Sequence, residues 1–374
     1  MKHLFLSLVV LLMSGTAGAA ATAPDAKTTV VVLGVDHAAQ LVSRQDRPAL
    51  LAAFLERAKP DALCIERSPE AYARNDYYAF TYEVQDVVVP FARRNGIDLC
   101  PIDWEPSVED AKLGFGVDLG AVPELRPASG FQQFLAFPSP SALTRDLFHA
   151  DDPKNLERIS RWAAATAHRG GTVVVVVGEF HKRDIEAILA DSPGVRIVQP
   201  SSIGKPGEAD VRRNDRREYR LAIAGFNLLG VQSTTGNIDH AFVRETLQSL
   251  KADADAPEIR LLETRLDVLQ GHITPAAAVE RYHAVATEAG DAPFTWTGVT
   301  DAARIDSYFD PFGNLTVRQR ALLEAARELQ RNGEDDAAAA IRHELGSALG
   351  KRKKAQLAAY WDRYVPKETA AEAK

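Results

Sequence analysis

Cysteine is scarce in this chain of 374 residues: Cys64 and Cys100 are the whole complement. Two thiols without a CxxC spacing make neither a zinc ribbon nor a disulfide framework. Both fall within stretches that read as strands, so they are either two small buried core residues or one inter-strand disulfide. Long hydrophobic runs are scarce as well. The apolar stretch Leu4–Met13 falls well short of the roughly 20 residues a bilayer span needs, and no later stretch is long and apolar enough. Basic charge is in deficit: 44 Lys and Arg stand against 51 Asp and Glu, a formal net charge of −7, which argues against nucleic acid as the main partner. Missing too are a Gly-x-Ser-x-Gly elbow, a Walker loop, a Gly-x-Gly-x-x-Gly after a strand and a His-Glu-x-x-His. Serine hydrolase, nucleotide-binding and zincin chemistries are therefore without support.

The opening residues follow a known pattern. Lys2 and His3 precede the apolar run, and small residues from Gly15 to Ala21 suit cleavage, so residues 1–20 read as a secretory signal peptide. No cysteine lies near the cleavage site, which argues against a lipoprotein. The expectation is an exported chain, periplasmic or secreted, with no membrane span after signal removal.

What the remainder offers is a parallel sheet. Val173 to Val177 form a run of five valines leading into Gly178-Glu179-Phe180-His181. Val30-Val31-Val32-Leu33-Gly34-Val35-Asp36-His37 repeats the design: an apolar strand, a glycine, and a histidine three residues on. Continuous β-branched runs read as strands buried on both faces, the mark of a parallel sheet covered by helices. Between them Ala62–Ile65 reads as a second strand ending at Glu66-Arg67, and Ile97–Ile102 as a third ending at Asp103. Val195–Val198 is the last strand. Helical patterns separate these runs, at 48–59, at 71–95 as one long helix and at 156–168, while the loop-like stretch 106–152 breaks the rhythm. Tyr77, Tyr78 and Tyr82 on the long helix read as core or rim. Glu83 and Gln85, farther along it, are within reach of the crevice but stay outside the set of site residues.

Beyond a Ser/Gly/Pro-containing linker at 201–210 no strand pattern returns. Helices are expected at 218–229, 238–252, 257–269, 275–289, 316–332 and 336–364, with a capping box at Thr316 and Gln319. The fold class is thus α/β, a mainly parallel sheet flanked by helices, with a C-terminal all-helical domain. Its division runs 1–20 signal peptide, 27–204 α/β domain, 205–365 helical domain and 366–374 disordered tail.

Ligands of open α/β sheets bind outside the carboxyl ends of the strands. There the sequence delivers His37, Glu66, Arg67, Asp103 and His181. Two imidazoles and one or two carboxylates suit a divalent metal, with His37, Glu66 and His181 as ligands, and a metal-bound water becomes a nucleophile near neutral pH. Without metal, the histidines serve as general base and partner. Arg67 or Asp103 would orient substrate. Gly34 and Gly178 let the backbone turn sharply and approach a bound group closely.

Leu33-Gly34-Val35-Asp36-His37, Pro60-Asp61-Ala62-Leu63-Cys64-Ile65-Glu66 and Val174-Val175-Val176-Val177-Gly178-Glu179-Phe180-His181 resemble the TraB/PrgY/TIKI group. That group lies within a superfamily holding the erythromycin esterases and the haem-binding ChaN proteins. Two Gly-x-x-His motifs and a glutamate after the second strand mark it, and the likeness covers residues 28–200. It implies His37, Glu66 and His181 as the active-site set. By resemblance to TIKI proteins the chemistry is metal-dependent proteolysis. Erythromycin esterases imply a histidine base without metal, and ChaN-like members imply haem as the alternative cofactor. The expected function is hydrolysis of a peptide or ester bond in a small-molecule or peptide substrate. The alternatives are a non-catalytic haem or small-molecule binding protein and an interaction scaffold acting through the helical domain.

Overall fold

In the structure, a computed structural model, residues 27–372 are described except for 36, 75–80, 104–152, 168, 235–236, 297–302 and 308–309. The expected signal peptide, Tyr77, Tyr78 and the stretch 106–152 lie outside the described residues.

Five strands, β1 (Thr28–Val35), β2 (Ala62–Ile65), β3 (Asp98–Pro101), β4 (Thr172–Gly178) and β5 (Val195–Ile197), form one sheet in the order β3-β2-β4-β1-β5. Every pairing is parallel. The valine strand is the centre of this sheet, inserted late in the chain between β1 and β2. Its side chains alternate between two cores, as period-two geometry requires. Val174 and Val176 face a core shared with α1 (Pro48–Ala58), a π-helix (Glu83–Val88) and α3 (Val89–Asn95). Val173, Val175 and Val177 face Trp162 and Ala163 of α4 (Pro153–Ala167) and Ile185 and Leu189 of α5 (Glu179–Ala190). Cys64 and Cys100 stand in register on β2 and β3 in this second core, both free thiols, and burial pushes the Cys64 thiol up.

Three stretches differ from the sequence expectation. The single helix expected at 71–95 is instead a short α2 (Pro69–Ala73), the π-helix and α3. Pro90 cannot donate the bond an unbroken α-helix demands there, and the wider π-turn falls just before it. The linker at 201–210 carries α6 (Pro200–Ile203) and α7 (Glu208–Asn214). Arg213 of α7 donates to Glu56 of α1 at 2.9 Å, which fastens the segment to the sheet layer. Farther on, α8 (Arg217–Leu228), α9 (His240–Asp253), α10 (Pro257–Leu269), α11 (Pro275–Ala289) and α12 (Val317–Arg331) follow the expected pattern. The helix expected at 336–364 breaks into α13 (Asp335–Ser347) and α14 (Lys351–Glu372), with Gly350 at the break, where backbone freedom disfavours a helix. In place of a disordered tail from 366, α14 continues to Glu372, because Lys367 to Glu372 is composed mostly of good helix formers.

The two cores do not part at residue 205. Tyr219, Ala222, Ile223 and Phe226 of α8 belong to the sheet core, and Leu221, Ala224 and Leu228 to the helical core, so one helix serves both with opposite faces. Trp296 also packs against both.

Inside the helical core a buried ionic knot joins α10, α12 and the end of α8. Glu324 accepts from Arg320 Nε at 2.7 Å and from Arg327 Nη1 at 2.8 Å, while Arg320 Nη2 donates to the Leu229 carbonyl at 2.8 Å. Burial pushes the Glu324 carboxyl up, but Arg327, Arg320 and Arg265 outweigh it and hold it at about 2, below its ordinary 4.5. Its folded value is depressed, so the stability it contributes is present above pH 4.5 and is lost as pH falls through about 2. Replacing Glu324 with Ala removes the buried carboxylate that these guanidiniums share and is expected to cost about 3–5 kcal/mol in denaturant unfolding at neutral pH. A cost below 1 kcal/mol would show the knot to be dispensable.

Candidate functional site

Because β4 lies between β2 and β1, the segments after these three strands meet at one edge of the sheet. His37 follows β1, Glu66 follows β2, and His181 stands in the first turn of α5 after β4. Residues far apart in the chain become neighbours through strand order alone.

Glu66 is the hub. Its Oε2 accepts from the Gly178 backbone N–H at 2.7 Å, and its Oε1 lies 3.6 Å from His181 Nε2, an electrostatic contact beyond hydrogen-bond reach. His37 Nε2 points at the same glycine: a Cβ placed on Gly178 would be 2.9 Å from that nitrogen and 3.5 Å from Glu66 Oε2. On its other side His37 Nδ1 lies 2.9 Å from Glu83 Oε1. The His181 ring meets the Trp162 ring edge-on, with centroids 5.2 Å apart. Next to His181, Lys182 turns away beneath the sheet and donates to the Val32 carbonyl at 2.6 Å and to Glu186 at 2.5 Å. Burial lowers the Lys182 pKa, with Glu186 opposing, so this lysine ties α5 to β1.

The glycines have a different purpose from the expected sharp turn. Neither Gly34 nor Gly178 has a positive φ. Each instead makes room for the other motif. A Cβ on Gly34 would stand 2.9 Å from the Glu179 Cα, as one on Gly178 would crowd His37. What they admit is the protein's own backbone and imidazole, at the positions where cofactor contact was expected. The unusual backbone belongs to His37, which has φ +35°, a strained value for a non-glycine residue and one concentrated at functional sites.

Arg67 and Asp103 reach the same edge. The Asp103 N–H donates to the Arg67 carbonyl at 3.0 Å, and Arg67 Nη2 donates to Thr81 Oγ1 at 3.3 Å. Both side chains are buried. Asp103 follows β3, an edge strand of the sheet, and its backbone N–H ties it to Arg67. Glu83 is the residue the sequence reading left out of the set. It is fully buried at the start of the π-helix. Its reach towards the crevice was legible on the long helix, but nothing in the sequence set it apart from Gln85.

His37, Glu66 and His181 have the donor chemistry of a divalent-metal site. Among the described residues, though, no group of three or more His, Cys, Asp or Glu side chains is arranged to hold a metal ion, and Glu66 Oε2 is engaged by Gly178. Among the described residues no helix is long and apolar enough to cross a membrane. No family model, curated protein or solved structure matches the chain.

Gly178 has φ −52° and ψ 139°, ordinary for any L-residue, so Gly178→Ala is expected to leave the fold intact and displace the His37 ring. Gly34→Ala meets backbone instead and is expected to cost about 1–3 kcal/mol of stability. Thermal unfolding and the histidine side-chain NMR signals check the contrast; equal effects of the two substitutions on both readouts would refute it.

Proposed function

We propose that this chain is an exported hydrolase acting on a peptide or ester bond at the His37, Glu66 and His181 edge. The observation that carries the reading is Glu66, a buried carboxylate held between the Gly178 N–H and His181, with His37 Nε2 and Glu66 Oε2 both beside the place a Gly178 Cβ would take. A lone-pair nitrogen, a carboxylate and a second imidazole at one strand edge form an acid–base set able to activate water.

In this reading His37 Nε2 takes a proton from water as it attacks the scissile carbonyl. Glu66 favours the imidazolium that results and holds its own position through the Gly178 N–H. His181, entering the step protonated and pressed against Trp162, gives its proton to the leaving group, after which His37 loses its proton to solvent and His181 regains one. Arg67 provides positive charge for the developing oxyanion, and Asp103 steadies the loop bearing Arg67. The resemblance to the TraB/PrgY/TIKI group supports the same set, and export rests on the leader pattern at residues 1–20.

A panel of chromogenic esters and peptides, assayed with and without added divalent metal, tests the proposal. His37→Ala is expected to lower the rate by about 10²–10⁴-fold, the usual worth of a general base. An unchanged rate would exclude the hydrolytic role for this site. Elemental analysis of the purified chain tests the metal-dependent version, and a visible spectrum after incubation with haem tests the binding-protein alternative.

A further inference from the structure

The π-helix Glu83–Val88 looks two ways. Towards the site it presents Glu83, which is fully buried and whose Oε1 lies 2.9 Å from His37 Nδ1. The other oxygen, Oε2, is buried without a hydrogen-bond partner. A buried carboxylate is costly unless paired, so His37 is the group that makes this glutamate tolerable where it is. A carboxylate oxygen only accepts, so the hydrogen of the neutral ring belongs on Nδ1, and Nε2, which lies against Gly178, carries the lone pair.

Away from the site the same element is held by the helical domain. Tyr82 and Asp86 flank Glu83, and Trp296 meets both. The Tyr82 and Trp296 rings are 6.4 Å apart at 67°. The indole lies over Gly225 of α8, where a Cβ would be 3.6 Å from the ring. Burial lifts the Asp86 carboxyl to about 7, and the neighbouring Trp296 indole pulls the other way. A second tie reaches the other half of the pair. Asn227 of α8, buried, donates to the Leu41 carbonyl at 2.8 Å, at the end of the 3-10 helix His37–Leu41. Arg44, just beyond, pairs with Glu245 of α9.

From this geometry we infer that Glu83 is the positioning residue that fixes the His37 imidazole with its hydrogen on Nδ1, and that the helical domain clamps the pair, holding the Glu83 element through Trp296 and the His37 element through Asn227. The inference deepens the hydrolase reading, supplying the residue that makes His37 a base and a task for the helical domain. π-Turns recur at functional sites because they re-aim a side chain that an α-helix would point elsewhere. The positive φ of His37 fits the same account, since backbone strain persists only where surrounding contacts over-determine it.

The test is substrate-free, so failure of the hydrolase reading leaves it standing. Full-length protein labelled with 15N-histidine is examined at one mildly alkaline pH, with the His37 signals assigned by their loss in His37→Asn. Wild type is expected to show a single tautomer with the hydrogen on Nδ1. Glu83→Leu, which fills similar space without an acceptor, is expected to give the tautomer mixture of a free imidazole, and Trp296→Ala a partial shift towards it. Thermal unfolding shows whether each variant folds, and should Glu83→Leu not fold, Glu83→Met, which also lacks a strong acceptor, takes its place with the same expectation. A wild-type ring with its hydrogen on Nε2, or a folded Glu83 variant with an unchanged tautomer, would overturn the positioning role. A Trp296→Ala spectrum identical to wild type would overturn the clamp.

Discussion

Everything at the sheet edge depends on how closely β1 and β4 run together at their carboxyl ends. Gly34 pairs with Val177 and Val35 with Gly178, and there neither glycine has room for a Cβ. Gly34 lets the start of α5 close over β1, which brings His181 in. Gly178 lets the His37 ring lie against β4, and its N–H fixes Glu66. Each motif is thus shaped by the other, and the pair cannot form from one strand alone. The valine run supplies the rigidity. Its side chains are buried on both faces, so β4 has no freedom to shift and its end is a fixed platform.

The helical region is continuous with this platform. α8 lends one face to the sheet core and the other to the helical core, so the two parts share a wall. Within the helical part, the Glu324 knot anchors carbonyls at the end of α8, and α8 in turn carries Asn227 and the bed for Trp296. Stability deep in the helical core and geometry at His37 are therefore connected through one helix, by packed and hydrogen-bonded contacts.

The α/β class, the five strands and most helix bounds were legible because long β-branched runs and 3.6-residue periodicity survive in any context. His37 and His181 were legible because strand ends with a glycine and a histidine stand out, and Glu66 because a charge directly after a buried strand does. Strand order was not. Nothing local in Val173–Val177 says that it inserts between β1 and β2, yet that insertion makes the three residues neighbours. The role of the glycines was misread because close approach between chain segments distant in sequence leaves no local trace. Glu83 was passed over because a π-turn has the composition of an ordinary helix; only the fold brings it to His37. The division at residue 205 was drawn from loss of strand pattern, whereas the cores divide along the two faces of α8.

The central claim is that Glu66 joins the ends of β2 and β4 into one site. The most direct measurement is the NMR response of the Gly178 amide and the His181 side chain to Glu66→Gln. The amide donates to a carboxylate oxygen at 2.7 Å, so loss of the charge is expected to move its proton signal upfield and to shift the His181 Nε2 signal with it. A Glu66→Gln protein in which both signals stay where they are in wild type would contradict the account.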